Sequence, residues 1–426
     1  MSTGPATPGG WRSASGGPRA AAAFTTSMTR LTIYDRRERA LAGAADAVLG
    51  AASALIRPFR RRPPAAAPCR ILLLRLERIG DLVMALPAIR DVRTYAPAAT
   101  IDLVVGSWNL PIARQLPYID QVEAVDAAWL SRGAGGSGAA GSIAAIRRWR
   151  SRDYDLGINF EPDIRSNLLL AASGASRTAG WISGGGGALL DVGLEFDTGV
   201  HTTGNARRLV STAFGESVRP SALPLIVVPE SARRAAAARI GSRSGPIVGI
   251  HVSGGRLVKQ WEPQRFAEVA RQLIDRRNAT VVLTGAPSDR SLVDEVRSSL
   301  PEARTIDLAG EIDLLELAAL LEQLDVLITC DTGPMHIAAA VGTPVVAVFG
   351  PSDPVRYAPA GPADRVVRAG IPCSPCNRIR KPPAHCVGHI PECLTSVPAA
   401  QVYDAAISSL ETSAGHRRRP IGHATA

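Results

Sequence analysis

Short, continuously apolar runs, each followed by a stretch of helical periodicity, recur along this chain and restrict what it can fold into. Cys69–Leu76 (CRILLLRL) lacks the every-second-residue alternation of a half-exposed strand. It reads instead as a strand covered on both faces, as in a parallel sheet. A helical stretch over Leu82–Thr94 follows, then strands Ile101–Val105 and Leu156–Phe160 and a helix over Arg165–Ala172. A second series starts after Gly245. Strand Ile247–His251 leads to helix Pro263–Arg276, strand Thr280–Thr284 to helix Asp289–Leu300, helix Leu314–Leu324 to strand Val326–Thr329, and helix Pro334–Val341 to strand Pro344–Phe349. The predicted class is α/β, with two Rossmann-like, doubly wound domains facing a cleft where such sheets hold ligands.

The expected organisation is a disordered leader over 1–38, then a basic amphipathic helix and Pro-rich spacer over 39–68. An N-terminal domain over 69–228, a linker over 229–246, a C-terminal domain over 247–410 and a disordered basic tail over 411–426 complete it. The formal net charge of +10 lies in these appendages: residues 1–70 hold eleven Arg against three acids, and the tail holds three Arg against one acid. A nearly neutral body with few aromatics, 4% of the chain, does not resemble a nucleic-acid-binding groove.

In the 39–62 segment Leu41, Ala45, Val48, Leu49, Ala52, Leu55, Ile56 and Phe59 form one helical stripe, with Arg57, Arg60, Arg61 and Arg62 closing it. The pattern fits a helix lying on an anionic membrane surface. It fits equally a helix packed on the body. No run reaches the ~20 apolar residues of a spanning helix, and the Pro/Gly-rich start is a poor signal peptide. The expected location is cytoplasmic, peripheral to the inner face of the plasma membrane. The Gly/Ser/Ala stretch 131–142 reads as a mobile loop.

Neither half opens with G-x-G-x-x-G, and no G-x-x-x-x-G-K-[ST] occurs, so dinucleotide oxidoreductases and P-loop ATPases are disfavoured. Anion binding must come from other strand ends. After strand Val326–Thr329, Asp331-Thr332-Gly333-Pro334-Met335-His336 permits a tight turn into a helix with Pro at its start. A helix there aims free N–H groups at the cleft, ready for a diphosphate, with Thr332, Gly333 and His336 beside it. Asp331 or Thr332 is alternatively an ordinary N-cap. Ser253, Gly254 and Lys259 follow strand Ile247–His251; the small residues admit an anion and Lys259 supplies a point charge to a leaving phosphate. Gly285 and Asp289 end the next strand, where Asp289 either accepts from a ribose hydroxyl or caps a helix. In the other half Gly80 precedes Asp81, a candidate general base or alternatively a cap of the helix that follows.

Together, I-L-L-L-R-L-E-R-I-G-D-L-V-M-A-L-P-A-I-R (71–90), V-G-I-H-V-S-G-G (248–255) with K-Q-W (259–261), and D-T-G-P-M-H-I-A-A-A-V-G-T-P-V-V-A-V-F-G-P-S-D-P (331–354) resemble glycosyltransferase family 9, the heptosyltransferases of lipopolysaccharide core assembly. Y-D-L-G-I-N-F (154–160) is similar to the family's weaker N-domain pattern. The resemblance implies a GT-B fold and metal-independent, inverting transfer of a sugar, heptose from ADP-heptose, onto a lipid-linked glycan. It implies Asp81 as the base and Lys259, Ser253, Gly254, Thr332, Gly333 and His336 around the donor diphosphate, with Gly285 and Asp289 near ribose and base. Asp289 departs from the Glu usual in the family. The rival readings are a nucleotide-sugar epimerase or hydrolase, and a non-catalytic nucleotide-sugar-binding protein.

Four thiols, Cys373, Cys376, Cys386 and Cys393, fall in 21 residues with His385 and His389 interleaved. Only the first pair has zinc-ligand spacing. Structural zinc, an iron–sulfur centre, free thiols and a disulfide all remain open. Cys69 and Cys330 read as inert strand residues in the core.

Overall fold

A computed structural model describes residues 31, 36–56, 67–127, 129, 138–218 and 225–417. Most of the expected leader, the 57–66 part of the basic segment, the 131–137 part of the Gly/Ser/Ala stretch and the end of the tail lie outside them.

The first sheet contains β1 (Arg70–Arg75), β2 (Thr100–Val105), β3 (Gln121–Ala124), β4 (Leu156–Asn159), β5 (Arg177–Trp181) and β6 (Val192–Leu194). The second contains β7 (Ile247–His251), β8 (Thr280–Thr284), β9 (Thr305–Asp307), β10 (Val326–Cys330), β11 (Val345–Val348) and β12 (Arg365–Val367). Their orders are β3-β2-β1-β4-β5-β6 and β12-β11-β10-β7-β8-β9, so both follow one topology, and every pairing is parallel. The chain order reverses between β1 and β4 in one sheet and between β7 and β10 in the other. Open α/β sheets bind ligands outside the carboxyl ends of strands at such reversals.

The helices are α1 (Arg36–Ile56), α2 (Ile79–Tyr95), α3 (Leu110–Ala113), α4 (Gly138–Arg150), α5 (Ile164–Ala172), α6 (Thr202–Phe214), α7 (Glu230–Ile240), α8 (Pro263–Arg277), α9 (Arg290–Arg297), α10 (Leu314–Glu322), α11 (Gly333–Val341), α12 (Pro354–Tyr357), α13 (Glu392–Thr395) and α14 (Ala399–Arg417). Burial follows from the sequence patterns. Ile71, Leu72, Leu73 and Leu74 of β1 are inaccessible on both faces, and α8 buries Phe266, Ala270 and Leu273 on one stripe, which is what spacings of three and four place together. One apolar cluster runs from Leu82, Leu86 and Ile89 of α2 to Met335, Ile337 and Ala338 of α11. The two sheets are thereby joined through a shared core directly beside their reversal points.

Several segments differ from their sequence-based reading. Helix α2 begins at Ile79 rather than Leu82, placing Asp81 inside its first turn. Cys69 precedes β1 and is exposed, not buried, whereas Cys330 is buried as expected. Residues 138–142 belong to α4, residues 230–240 of the expected linker form α7 packed on α10, and α14 continues through Arg417. Helix α1 docks on the body: Ala42 is buried, and Asp46 Oδ1 accepts from the Gly186 N–H at 2.7 Å. The apolar stripe is split, because Leu41 and Val48 remain 72% and 68% exposed. No helix among the described residues is long and apolar enough to cross a membrane.

Candidate active site

The site grows from four strand ends. At β10, Thr332 occupies the N-cap of α11 with extended backbone, yet its side chain does not cap the helix. Its Oγ1 sits 3.2 Å from Thr329 Oγ1 and donates to the Cys330 carbonyl at 3.3 Å. Asp331 does not cap it either, since its carboxylate is turned to Lys259. A helix start leaves backbone N–H groups without intrahelical partners, and Pro334 removes only a donor that would be unpaired anyway. The amino end of α11 therefore keeps its N–H groups and positive dipole end directed outward.

Lys259, in the turn after β7, reaches across to β10. Its Nζ donates to the Asp331 carbonyl and lies 3.1 Å from Asp331 Oδ2. Burial works to raise the pKa of Asp331, but the Lys259 ammonium and a hydrogen bond from Ser352 outweigh it and hold the carboxyl below its ordinary value. An ammonium has three N–H donors, of which Asp331 takes two. His336 Nε2 stands 3.9 Å from Asp331 Oδ1, and burial pushes the imidazole down to about 4. At neutral pH His336 is uncharged and offers a hydrogen bond, not a cation.

The same turn holds Ser253 and Gly254. Ser253 is buried and its Oγ accepts from the Gly255 N–H at 3.1 Å, while the Gly254 N–H donates to Gln260 Oε1 at 2.7 Å. A Cβ on Gly254 would run into the Lys259 carbonyl, so the turn closes only with glycine there. At β8, Asp289 Oδ2 accepts from the Ala286 N–H at 2.8 Å and closes the turn before α9; it holds the N-cap position of α9, but its side chain does not cap that helix. Gly285 lies beneath it, its α-carbon facing Asp289 and Val293. Buried His251, whose Nδ1 is 3.1 Å from Thr284 Oγ1, is also pushed down to about 4 by burial.

From the other sheet, the first turn of α2 meets the first turn of α11. A Cβ on Gly80 would lie 2.7 Å from His336 Cδ2, and one on Gly333 would lie 3.6 Å from Ile79 Cβ. The charge of Asp81 acts on the His336 imidazole. Asp81, Lys259 and the Asp331/His336 pair, three places at least 70 residues apart in sequence, thus form one constellation. Asp81 is not the helix cap that the sequence left open, because Arg78 occupies that position.

Three further residues enter the site. Buried Arg75 holds the Asp81 turn, buried Glu161 holds Arg75, and the Tyr357 phenol, pushed up to about 12 by burial, also feels Asp81, Asp331 and Glu77. The sequence offered one signal for Tyr357: it lies three residues after the G-P-S-D-P stretch.

The structure gives no support for a metal centre in the cysteine-rich segment. Cys373 is exposed, Cys376 and Cys386 are half-buried and Cys393 is buried. Burial, followed by the neighbouring thiols, pushes Cys393 up to about 12 and Cys386 upward. Among the described residues no group of three or more His, Cys, Asp or Glu side chains converges to hold a metal ion. The zinc and iron–sulfur readings are therefore not supported.

Comparison with known proteins agrees with this geometry. The model of glycosyltransferase family 9 (heptosyltransferase) matches residues 143–386. Lipopolysaccharide heptosyltransferase 2 of Escherichia coli (strain K12) is 26% identical over 313 residues, covering 70% of this chain and 88% of the relative. The structure of the E. coli ADP-heptose lipopolysaccharide heptosyltransferase II superposes with a TM-score of 0.66 at 22% identity, over 81% of this chain and 99% of that one. A family 9 glycosyl transferase from Veillonella parvula reaches a TM-score of 0.70 at 23% identity, over 80% of this chain and 97% of that one. With two parallel sheets of one topology joined at their strand ends and a family match spanning more than half its length, this chain adopts the GT-B fold and belongs to glycosyltransferase family 9.

Proposed function

We propose that this glycosyltransferase moves a heptose from ADP-heptose onto a lipid-linked glycan of the lipopolysaccharide core, with inversion at the anomeric carbon. The observation that supports the reading is the junction of α2 with α11, which brings the first turn of α2, carrying Asp81, against His336 and the uncapped start of α11. In the proposed step Asp81 takes the proton of the acceptor hydroxyl as its oxygen attacks the anomeric carbon. The bond from that carbon to the β-phosphate oxygen breaks and ADP departs. The α11 N–H groups, the Thr332 hydroxyl and Lys259 receive the developing phosphate charge, and fixed donors of this kind act without reorganising during reaction. Lys259 and a helix N-terminus supply the positive charge that a divalent cation supplies elsewhere, so the proposed step is metal-independent. Ser253 and Gly254 shape the turn that presents Lys259; Gly285 and Asp289 border the ribose and base. The E. coli relative supports the choice of sugar and acceptor.

The outer face of α1 belongs to the same reading. Leu41 and Val48 are exposed one above the other, with Arg37 and Arg39 on the exposed first turn. We assign this face to an anionic membrane surface, keeping the enzyme peripheral to the cytoplasmic side where a lipid-linked acceptor would be met.

The test incubates the purified protein with ADP-, GDP- or UDP-sugars and a heptose-deficient acceptor glycan. The reading requires stabilisation by ADP-heptose alone among the donors, ADP release that depends on acceptor, and a product of inverted anomeric configuration by NMR. ADP release without acceptor, or equal stabilisation by all donors, contradicts it.

A further inference from the structure

Arg75 and Glu161 sit at the reversal point of the first sheet, on the adjoining ends of β1 and β4, and nothing in the proposed reaction yet uses them. Both are almost inaccessible, 3% and 2% exposed. Charged side chains are rarely buried so fully unless paired, and their partners all converge on the Asp81 turn.

The guanidinium is used on every edge. Arg75 Nε donates to the Asp81 carbonyl at 3.0 Å, and one terminal nitrogen donates to the Phe160 carbonyl at 2.9 Å. The other stands 3.5 Å from Asp81 Oδ1. Glu161 lies 3.8 Å from Arg75 and accepts from the Leu76 and Glu77 N–H groups at 2.5 and 2.9 Å. It therefore anchors both the cation and the backbone that leads to α2. Glu161 is fixed in turn by Asn159, whose Oδ1 accepts the Glu161 N–H at 3.0 Å. Glu77 is a third carboxylate 3.6 Å from Arg75, and Arg380 reaches it at 3.6 Å from the cysteine-rich segment.

We propose that Arg75 is a positioning residue for the base: its planar fork fixes both the backbone and the carboxylate of Asp81, and Glu161 locks the fork in place. The proposal rests on the reading of Asp81 as the base. The groups that face Asp81 are Arg75 and Glu77 from the β1 end, Glu161 from the β4 end, His336 from α11 and Tyr357 from α12. Three of these are acids or a phenol and His336 is neutral, so Arg75 is the cation among them that faces the Asp81 carboxylate. A lysine would retain the charge but not a fork that bonds the Asp81 carbonyl while a second nitrogen faces its carboxylate.

The experiment compares Arg75→Met and Arg75→Lys with the unaltered enzyme over a pH series, using ADP-heptose and the acceptor glycan, with ADP binding as the control for an intact donor site. In Arg75→Met the acidic limb of the kcat profile is expected to move up by about one pH unit or more. Arg75→Lys is expected to keep the limb in place but to lose about tenfold in kcat, with the donor KM unchanged. An unmoved limb in Arg75→Met overturns the proposal. If Arg75→Met does not fold, Arg75→Lys decides: lowered kcat at unchanged donor KM supports positioning, and full kcat overturns it. Asp81→Asn separates the underlying reading. Full transfer by Asp81→Asn removes Asp81 as the base, whereas lost transfer there beside normal Arg75 variants removes only the role given to Arg75.

Discussion

The imidazole of His336 occupies the space that a side chain on Gly80 would need: a Cβ built there meets its Cδ2 at 2.7 Å. The contact joins the first turn of α2 in one sheet to the first turn of α11 in the other. It depends on residue 80 having no side chain, not on an unusual backbone angle.

Gly80→Ala must therefore displace a buried ring that has little room to retreat. Overpacking of this kind costs about 1–3 kcal/mol, and the expected result is a lowered Tm with kcat reduced by about tenfold or more, because a small shift of a reacting group is costly. Thermal melting and steady-state rates check this. Unchanged kcat in Gly80→Ala would show that the junction does not govern transfer.

Lys259→Met leaves the Asp331 carboxylate buried without its cation. Breaking a buried pair by removing one partner costs about 3–5 kcal/mol, and the variant also loses the charge facing the leaving diphosphate. The expected outcome is a marked fall in Tm together with weaker ADP binding by calorimetry. Lys259→Arg should recover most of the stability. Wild-type ADP affinity in Lys259→Met would place the diphosphate elsewhere.

How much of this was legible in the sequence follows from the range of each interaction. The strands were readable because β1, β7 and β10 are continuously apolar, and the start of α11 because Gly333 and Pro334 are local signals. Arg75 and Glu161 were invisible as a pair: they are 86 positions apart in the chain, and only the β1–β4 pairing puts their strand ends together. The role of Asp331 was undecidable for the same reason. Asp331 is turned away from its own helix by Lys259, 72 residues earlier, whereas Asp289 has a partner three residues away. Helix α1 was legible as a helix, but a single stripe could not reveal that Ala42 and Asp46 face the body while Leu41 and Val48 face outward.

Acidification should destabilise the fold through two buried histidines. Buried His251 and His336 each drop from 6.5 to about 4, so between those values the unfolded chain binds protons that the folded chain excludes. Stability is then full above about pH 6.5 and falls towards pH 4, by on the order of 3 kcal/mol for each histidine. Denaturant titrations across this range should show the slope, and the double variant His251→Gln/His336→Gln should lose it. A slope retained in the double variant would assign it to other groups.

Metal removal should leave the protein unaffected. Prolonged treatment with EDTA or phenanthroline, and the Cys373→Ser/Cys376→Ser variant, are expected to change neither Tm nor transfer rate. A rate that collapses with chelator and returns with one particular divalent ion would contradict the metal-independent step.

The most direct measurement is made on Asp81→Asn, which keeps the size and polarity of the side chain but cannot accept the acceptor's proton. ADP-heptose binding should stay within about twofold of the unaltered enzyme, while transfer falls by about two to four orders of magnitude, the usual contribution of a positioned base. Transfer at an undiminished rate by Asp81→Asn, with product of the same anomeric configuration, would contradict the account.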